Sequence, residues 1–430
     1  MSSRENSVTS LVADYLRNNG MNVNTFEGIE IPGQGIKEPD YTVRNDGRFL
    51  GEAKWESEYS EGLVEAHDYN LAAQTNGTFV IGYPDQLKQE IKQSRLGNGV
   101  ESVLQGHEYR VAFLHKARPT DMSRISIEEL PEWLQGHSKG ELTPHVDPEE
   151  VITVLQQTAE ALTQQMESLQ AMELFRNVLG VDAEEEQEKV KSARRLTGYL
   201  LVNQITFYRV LSAVSTYEDI DPTELGSPSD LTDYFEHVLE DDYTPIFSFP
   251  VAEAYEQKHL PLIRDAVKKI YALNPDQINH EVLGDIFLQL IPFSLRKSVA
   301  AFYTKNKAAK IIADIAVDDG NDTVLDPACG SGTLLTAAYR RKKAEYLDWN
   351  EEIHKRFLEE EITGLDIMPF AAHLSTIHLA LQQPQYPTDE VRVGIEDSTK
   401  IQPGDEIQPL SHMLPENLIQ RTLGNFDKSI

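Results

Sequence analysis

A single cysteine, Cys329, stands in the 430-residue chain, so no disulfide can form within it. No apolar run approaches the roughly 18 residues that a membrane span needs. The opening residues, MSSRENSVTS, are polar and carry no apolar stretch of the secretory-signal kind. These absences point to a cytosolic protein with no membrane partner. Positive charge is also scarce. Lys and Arg total 39 against 70 Asp and Glu, a formal net charge of −31. Nucleic-acid proteins are usually basic, so charge alone points away from DNA. A saline cytoplasm gives the acidity a different cause, because a carboxylate-rich surface stays hydrated and soluble there. At about 1 M salt the Debye length is only around 3 Å, and net charge then says little about partners. We adopt this halophile reading, under which the acidity does not exclude DNA.

What is present is a globular composition, 40% hydrophobic, in a chain long enough for two or three domains. No internal repeat is visible. Residues 5–19, ENSVTSLVADYLRNN, place Val8, Leu11, Val12, Tyr15 and Leu16 on one helical face, and Gly20 ends the helix. Short extended runs follow: MNVNTFEG, PDYTVRND and RFLGEAKW. The last two flank Asn45-Asp46-Gly47, a hairpin signal. A helix around 60–75, then TFVIGY and YRVAFLH, complete a small α/β domain ending near residue 120. Residues 121–147, rich in Pro, Gly, His and acids, read as a connector. Residues 148–290 read as helical. There, VITVLQQTAEALTQQMESLQAMELF is a long amphipathic helix, EEEQE a solvated face, and RLTGYLLVNQITFYRVL a buried helix. From 291 to 430 strand and helix alternate, the pattern of a doubly wound sheet.

The stretch VLDPACGSGTLL, residues 324–335, is a strand, a glycine-rich turn and the start of a helix. Gly330 and Gly332 have no β-carbon, so backbone N–H groups can approach an anionic ligand at the helix N-terminus. No Lys-Ser/Thr follows, which excludes a Walker loop. Leu335 stands where a dinucleotide fingerprint needs its third glycine. A second strand ends in Asp366, placed to accept from ribose hydroxyls, and a third ends in Glu396-Asp397, placed to accept from an adenine amino group. Asp326, Asp366 and Asp397 can then line one crevice at the carboxyl edge of a parallel sheet. Each is also a plausible helix N-cap when taken singly.

These residues resemble the S-adenosyl-L-methionine (AdoMet) motif of the amino, N6-adenine DNA methyltransferases. The upstream IPFSLRKSVAAFYTKNKAAKIIADIAV is similar to the segment that precedes that motif in gamma-type members. The resemblance implies that Phe302, Tyr303 and Thr304 flank the methionine part of the cofactor. It implies that Asp326, Cys329, Gly330 and Gly332 form the loop, that Asp366 holds the ribose and that Asp397 holds the adenine. Cys329 is expected to pack beside the cofactor rather than act as a nucleophile. RLTGYLLVNQITFYRVL and DDYTPIFS also look like the helical region ahead of many restriction-associated methylases. Such enzymes use an Asn/Asp-Pro-Pro-aromatic tetrapeptide at the end of a fourth strand to hold a flipped-out adenine. The chain has no such tetrapeptide; its Asn274-Pro275 is followed by Asp and lies upstream. With 33 residues after Asp397 and no target-recognition region among them, the expectation is a cofactor half-site that does not methylate DNA alone. TVLD would then be an open sheet edge, an aggregation hazard. A second polypeptide supplying the fourth strand, tetrapeptide and recognition domain would cover it; the alternative is a truncated gene.

Near the N-terminus, Asp40 is followed twelve residues on by Glu52-Ala53-Lys54. Glu52 and Lys54 share a strand face. Two converging carboxylates bind Mg²⁺, and a lysine beside them orients or deprotonates a water, the chemistry of phosphodiester hydrolysis. Surface acids on a hairpin give the same pattern. The domain nonetheless resembles a PD-(D/E)xK restriction nuclease, with Glu5 on its leading helix and Gln74 before Thr-Asn-Gly as further site candidates. The resemblances imply an α/β chain in three parts. They are a PD-(D/E)xK nuclease-like domain, a helical middle region, and a partial doubly wound, Rossmann-like AdoMet-dependent methyltransferase domain. The implied activity is restriction–modification or phage defence, with AdoMet and Mg²⁺ as cofactors and double-stranded DNA as partner. Two rivals remain: a non-catalytic AdoMet-binding subunit, and a stand-alone nuclease with a vestigial methylase half.

Overall fold

The computed structural model describes residues 5–31, 35–93, 103–116, 118–165, 187–239, 243–247, 250–278, 286, 304–367, 369–388 and 390–402. The chain divides into two units, Met1–Val154 with Val267–Ile278, and Leu155–Ala266 with Asn279–Ile430.

The first unit is built on a six-stranded sheet in the order β1-β4-β5-β6-β7-β8. Its strands are β1 (Val23–Thr25), β4 (Tyr41–Val43), β5 (Phe49–Trp55), β6 (Gly77–Tyr83), β7 (Glu108–Leu114) and β8 (Asp121–Ser126). A separate hairpin of β2 (Ile29–Ile31) and β3 (Gly35–Lys37) precedes β4. Helix α1 (Glu5–Asn18) buries Val8, Val12 and Leu16, one stripe at four-residue spacing, with Tyr41, Phe79 and Trp133 in the same core cluster. The Asn45-Asp46-Gly47 turn joins β4 to β5 in antiparallel register. β5 and β6 run parallel. Parallel neighbours need a crossover, which helix α2 (Tyr59–Ala72) supplies. Every residue of β5 and β6 is buried. Gly62 lets α2 lie close to them: a β-carbon there would be 2.8 Å from Val80 and 3.0 Å from Lys54.

The expected connector at 121–147 is instead part of this unit. β8 pairs antiparallel with β7. Helix α4 (Leu130–Lys139), which follows α3 (Leu87–Gln93), sends Leu130, Trp133 and Leu134 into the core. The polar residues that suggested a linker are used internally. Asp121 is buried and accepts from the His145 N–H at 2.7 Å, Ser123 Oγ at 3.1 Å and Trp133 Nε1 at 3.3 Å. Burial pushes the Asp121 carboxyl up, but His137 and the His145 N–H outweigh it and hold it below its ordinary value. The 148–290 region is likewise not one body, since Val267–Ile278 belongs to the first unit. There Asn274 donates to the carbonyls of His115 at 3.3 Å and Arg118 at 3.2 Å, and the hydroxyl of Thr120 donates to Ala272 O at 2.6 Å.

Among the described residues the longer helices in the middle of the chain are α5 (Pro148–Gln165), α6 (Gln187–Val214), α7 (Asp230–Leu239) and α8 (Leu260–Ala272). The expected long amphipathic helix is described as far as Gln165, and the rest of it lies outside the described residues, as does most of EEEQE. α6 is buried on most sides over Tyr199–Leu211, as its apolar sequence predicts.

The second unit also holds a three-stranded parallel sheet, β11-β10-β9. Chain order is α9 (Asn306–Ala316), β9 (Val324–Asp326), α10 (Thr333–Lys343), α11 (Glu351–Arg356), β10 (Ile362–Asp366), α12 (Pro369–Ala380) and β11 (Val393–Ile395). Leu335, Tyr339, Phe357, Ile362, Leu379 and Val393 form its core. Lys342 is fully buried, and its ammonium bonds Glu361 at 2.7 Å and lies over the Phe357 ring. Among the described residues β9 pairs only with β10, and its Leu325 is 61% exposed.

The N-terminal unit has a test in Arg110, a buried cation on β7. Its guanidinium bonds Glu150 and lies 4.4 Å from the Tyr59 ring centroid. Arg124 meets the same carboxylate at 2.7 Å. Glu150→Ala leaves Arg110 buried without its anion and should cost about 3–5 kcal/mol, read by urea unfolding. A loss under about 1 kcal/mol would mean that the ion pair is solvated and that the unit does not extend to Glu150.

Candidate functional site

In the second unit the carboxyl ends of β9, β10 and β11 lie side by side. Gly364 pairs with Asp326, and Asp366 pairs with Ile395, which precedes Glu396-Asp397. Asp326, Asp366 and Asp397 therefore sit at three successive strand ends, in the order 326, 366, 397. Between β9 and α10 the turn is held from three sides. The Gly330 N–H donates to Asp366 Oδ2 at 2.9 Å. The Cys329 N–H donates to Leu365 O at 2.8 Å. The Ser375 hydroxyl of α12 donates to Gly330 O at 2.9 Å. Both glycines are left-handed, Gly330 at φ 54° and Gly332 at φ 79°, a conformation costly for other residues. A β-carbon on Gly332 would also be 2.9 Å from Ser375 Oγ.

The three aspartates differ in state. Burial pushes the Asp326 carboxyl up, the Ala328 N–H pulls it back, and nearby Asp366 adds to the rise. Asp366 is committed through one oxygen to the glycine turn. Asp397 accepts from the Thr399 hydroxyl at 2.6 Å, Lys400 Nζ at 2.9 Å and the Thr399 N–H at 3.1 Å, which lower it to about 2. Its carboxylate closes a local turn, the structural role open to it from sequence. Burial pushes the Cys329 thiol up to about 12, so it is no thiolate nucleophile at neutral pH. Thr304 is half-buried just before α9, while Phe302 and Tyr303 lie outside the described residues. The left-handed glycines and the strand-end carboxylates fit a nucleoside-bearing ligand such as AdoMet.

In the first unit Asp40 precedes β4, and Glu52 and Lys54 sit two apart on β5, all three buried. Asp40 Oδ2 accepts from the Ala53 N–H at 2.9 Å. Asp40 Oδ1 and both Glu52 carboxylate oxygens are buried with no hydrogen-bond partner. Burial pushes both carboxyls up, and Glu52 lies well above its ordinary value because Asp40 and Glu65 add to the effect. Lys54 Nζ is 3.8 Å from Glu52 and 3.0 Å from Glu65 on α2. Burial lowers the Lys54 ammonium, but Glu65 and Glu52 outweigh it, so it stays charged.

Glu5 is buried and electrostatically coupled to Lys54 and Asp40, so the structure brings it to this group. Gln74 is not brought there. It is exposed, in a turn whose Thr75 and Asn76 bond the Arg48 carbonyl at the start of β5. Sequence reading missed Glu65 and Tyr69. Burial and the adjacent Glu52 raise the Tyr69 phenol. Their signal is Gly62-x-x-Glu65-x-x-x-Tyr69, three residues on one face of α2. Among the described residues no group of three or more His, Cys, Asp or Glu side chains is arranged to hold a metal ion. Asp40 and Glu52 with three unpartnered oxygens nonetheless fit Mg²⁺, which takes one or two carboxylates and completes its shell with water or phosphate.

Two substitutions test these assignments. Asp366→Ala orphans the Gly330 N–H and should cost about 1–3 kcal/mol, whereas Asp366→Asn keeps an acceptor and should cost less, both by thermal unfolding. Glu52→Gln removes a carboxyl whose ionisation burial opposes and should stabilise the cation-free protein by about 1–3 kcal/mol at a pH where Glu52 is charged. Destabilisation by Glu52→Gln would show that the carboxylate has a partner.

Residues 278–408 match the family model described as N-6 DNA Methylase. The chain is 27% identical over 175 residues to the type I restriction enzyme MjaIX methylase subunit of Methanocaldococcus jannaschii, covering 35% of this chain and 29% of that one. It is 36% identical over 104 residues to the adenine-specific methyltransferase BrxX of Escherichia coli O9:H4, covering 22% and 9%. It thus spans less than a third of the length of these relatives. A cryo-EM structure of a DrdV–DNA complex aligns over 99% of this chain and 40% of that chain at 12% identity, with a TM-score of 0.34. The family match at 278–408 and the methylase-subunit relatives support an adenine DNA methyltransferase family for this part of the chain.

Proposed function

We propose that the chain is the cofactor-binding part of an N6-adenine DNA methyltransferase of a restriction–modification or phage-defence system, carried together with a Mg²⁺-dependent PD-(D/E)xK endonuclease unit. The carrying observation is the left-handed glycine turn tied to Asp366 at the carboxyl edge of a parallel sheet, within the segment that matches the methylase family. AdoMet, when bound, supplies an electrophilic methyl group. Asp366 offers an acceptor to its ribose, Asp326 and the turn line the crevice, and Asp397 stands by the adenine end. By the resemblance, Thr304 with Phe302 and Tyr303 would flank the methionine part. Catalysis by such a crevice is mostly positioning.

In the nuclease unit Asp40 and Glu52 would hold Mg²⁺, which supplies Lewis-acid polarisation of a phosphate. Lys54, charged and held in place, orients the water or the phosphate rather than taking a proton.

Partners follow from two surfaces. The edge of β9 that pairs with no strand among the described residues, and the exposed Ile311, Ile312 and Ile315 of α9, suit a further β-strand beside β9, from a second polypeptide or from more of the same one. That strand would bring the adenine-binding tetrapeptide, and target recognition would come with it. The acidic surface suits a saline cytoplasm, where DNA is met under strong screening.

Calorimetric titration of AdoMet into the purified chain tests the crevice. Affinity in the micromolar range, about −8 kcal/mol, and its loss in Asp366→Ala are expected. Absence of binding in 1 M KCl would contradict the cofactor reading. Methyl transfer to DNA by this chain without any added polypeptide would contradict the partner reading.

A further inference from the structure

The nuclease group contains a lysine whose hydrogen bond goes to a glutamate of another element and not to the glutamate nearest to it in sequence. Lys54 and Glu52 lie on one face of β5, two residues apart, yet their charged atoms are 3.8 Å apart. Lys54 instead donates to Glu65 at 3.0 Å. Glu65 comes from α2, brought close by Gly62, whose missing β-carbon makes room for the Lys54 stem. The consequence falls on Glu52, whose two buried oxygens have no hydrogen-bond partner, as has Asp40 Oδ1. An ammonium in contact with Glu52 would occupy those oxygens and repel a divalent cation.

We propose that Glu65 is a positioning residue that draws Lys54 away from Glu52 and so keeps the Asp40–Glu52 pair open for a divalent cation. This rests on the reading of that pair as the cation site. Glu65 is not a ligand in this scheme. It acts through Lys54, as an acceptor that competes with Glu52 for one ammonium. Being half-exposed, with 45% of its side chain accessible, Glu65 can take this role without a large desolvation cost. The arrangement also fixes Lys54 on the α2 side of the pair.

The test is Mn²⁺ binding to the full chain, followed by electron paramagnetic resonance, with Glu52→Gln as the site control. Binding by wild type that Glu52→Gln abolishes places the cation at the pair. Glu65→Ala frees Lys54 to bond Glu52 and should weaken Mn²⁺ about tenfold. Glu65→Gln loses the charge but keeps an oxygen acceptor for Lys54, so its affinity should stay within about threefold of wild type. Equal weakening by Glu65→Ala and Glu65→Gln would show that Glu65 acts by charge alone and overturn the proposal. So would unchanged affinity in Glu65→Ala. No binding by wild type, or binding indifferent to Glu52→Gln, would overturn the cation reading itself, and the role of Glu65 with it.

Discussion

The hydrogen bond from the Gly330 N–H to Asp366 is the contact on which the C-terminal crevice depends. It joins the turn after the first strand to the end of the second. The turn can reach Asp366 only because Gly330 and Gly332 adopt left-handed backbone, and because Gly332 leaves Ser375 the space a β-carbon would fill. Ser375 and His378 of α12 then secure the turn from the other side, through Gly330 O and Ser331 O. One aspartate thus holds the turn in place. The remaining strand-end acids differ from it: Asp326 is partly buried and raised, and Asp397 is stabilised in its charged form by its own turn. The three positions look alike in sequence and are electrostatically distinct in the structure.

The N-terminal group follows a different logic. Buried carboxylate oxygens without a hydrogen-bond partner cost stability. Asp40 Oδ1 and both Glu52 oxygens are of this kind. Elsewhere in the unit buried and half-buried charges are paired, Arg110 with Glu150 and Lys268 with Asp68.

Local signals were legible in the sequence. The Asn45-Asp46-Gly47 turn, the four-residue apolar stripe of α1 and the strand–glycine turn–helix at 324–335 are each determined by neighbours in the chain, and each forms as expected. Non-local features were not legible. Asp121–Ser126 reads as linker because its polar residues find their partners in α4 and at His145, which only the folded chain brings near. Glu65 and Tyr69 lie on a helix where only the Gly62-x-x-Glu65-x-x-x-Tyr69 spacing marks the face that meets β5. Gln74 looked like a site residue from its neighbours in sequence, but the turn that carries it is tied to Arg48, at the other end of the strand. Spacing identified Asp40, Glu52 and Lys54 as a group; the division of Lys54 between two glutamates needed the tertiary contact.

The central claim is that the edge formed by Asp326, the glycine turn, Asp366 and Asp397 is where AdoMet sits. Ultraviolet cross-linking of methyl-labelled AdoMet to the intact chain, followed by peptide mapping, tests it most directly. The account expects label in peptides spanning 302–304, 326–332, 362–367 or 393–397, and competition by unlabelled cofactor. Label confined to residues 1–154, or label that excess AdoMet does not displace, would contradict it.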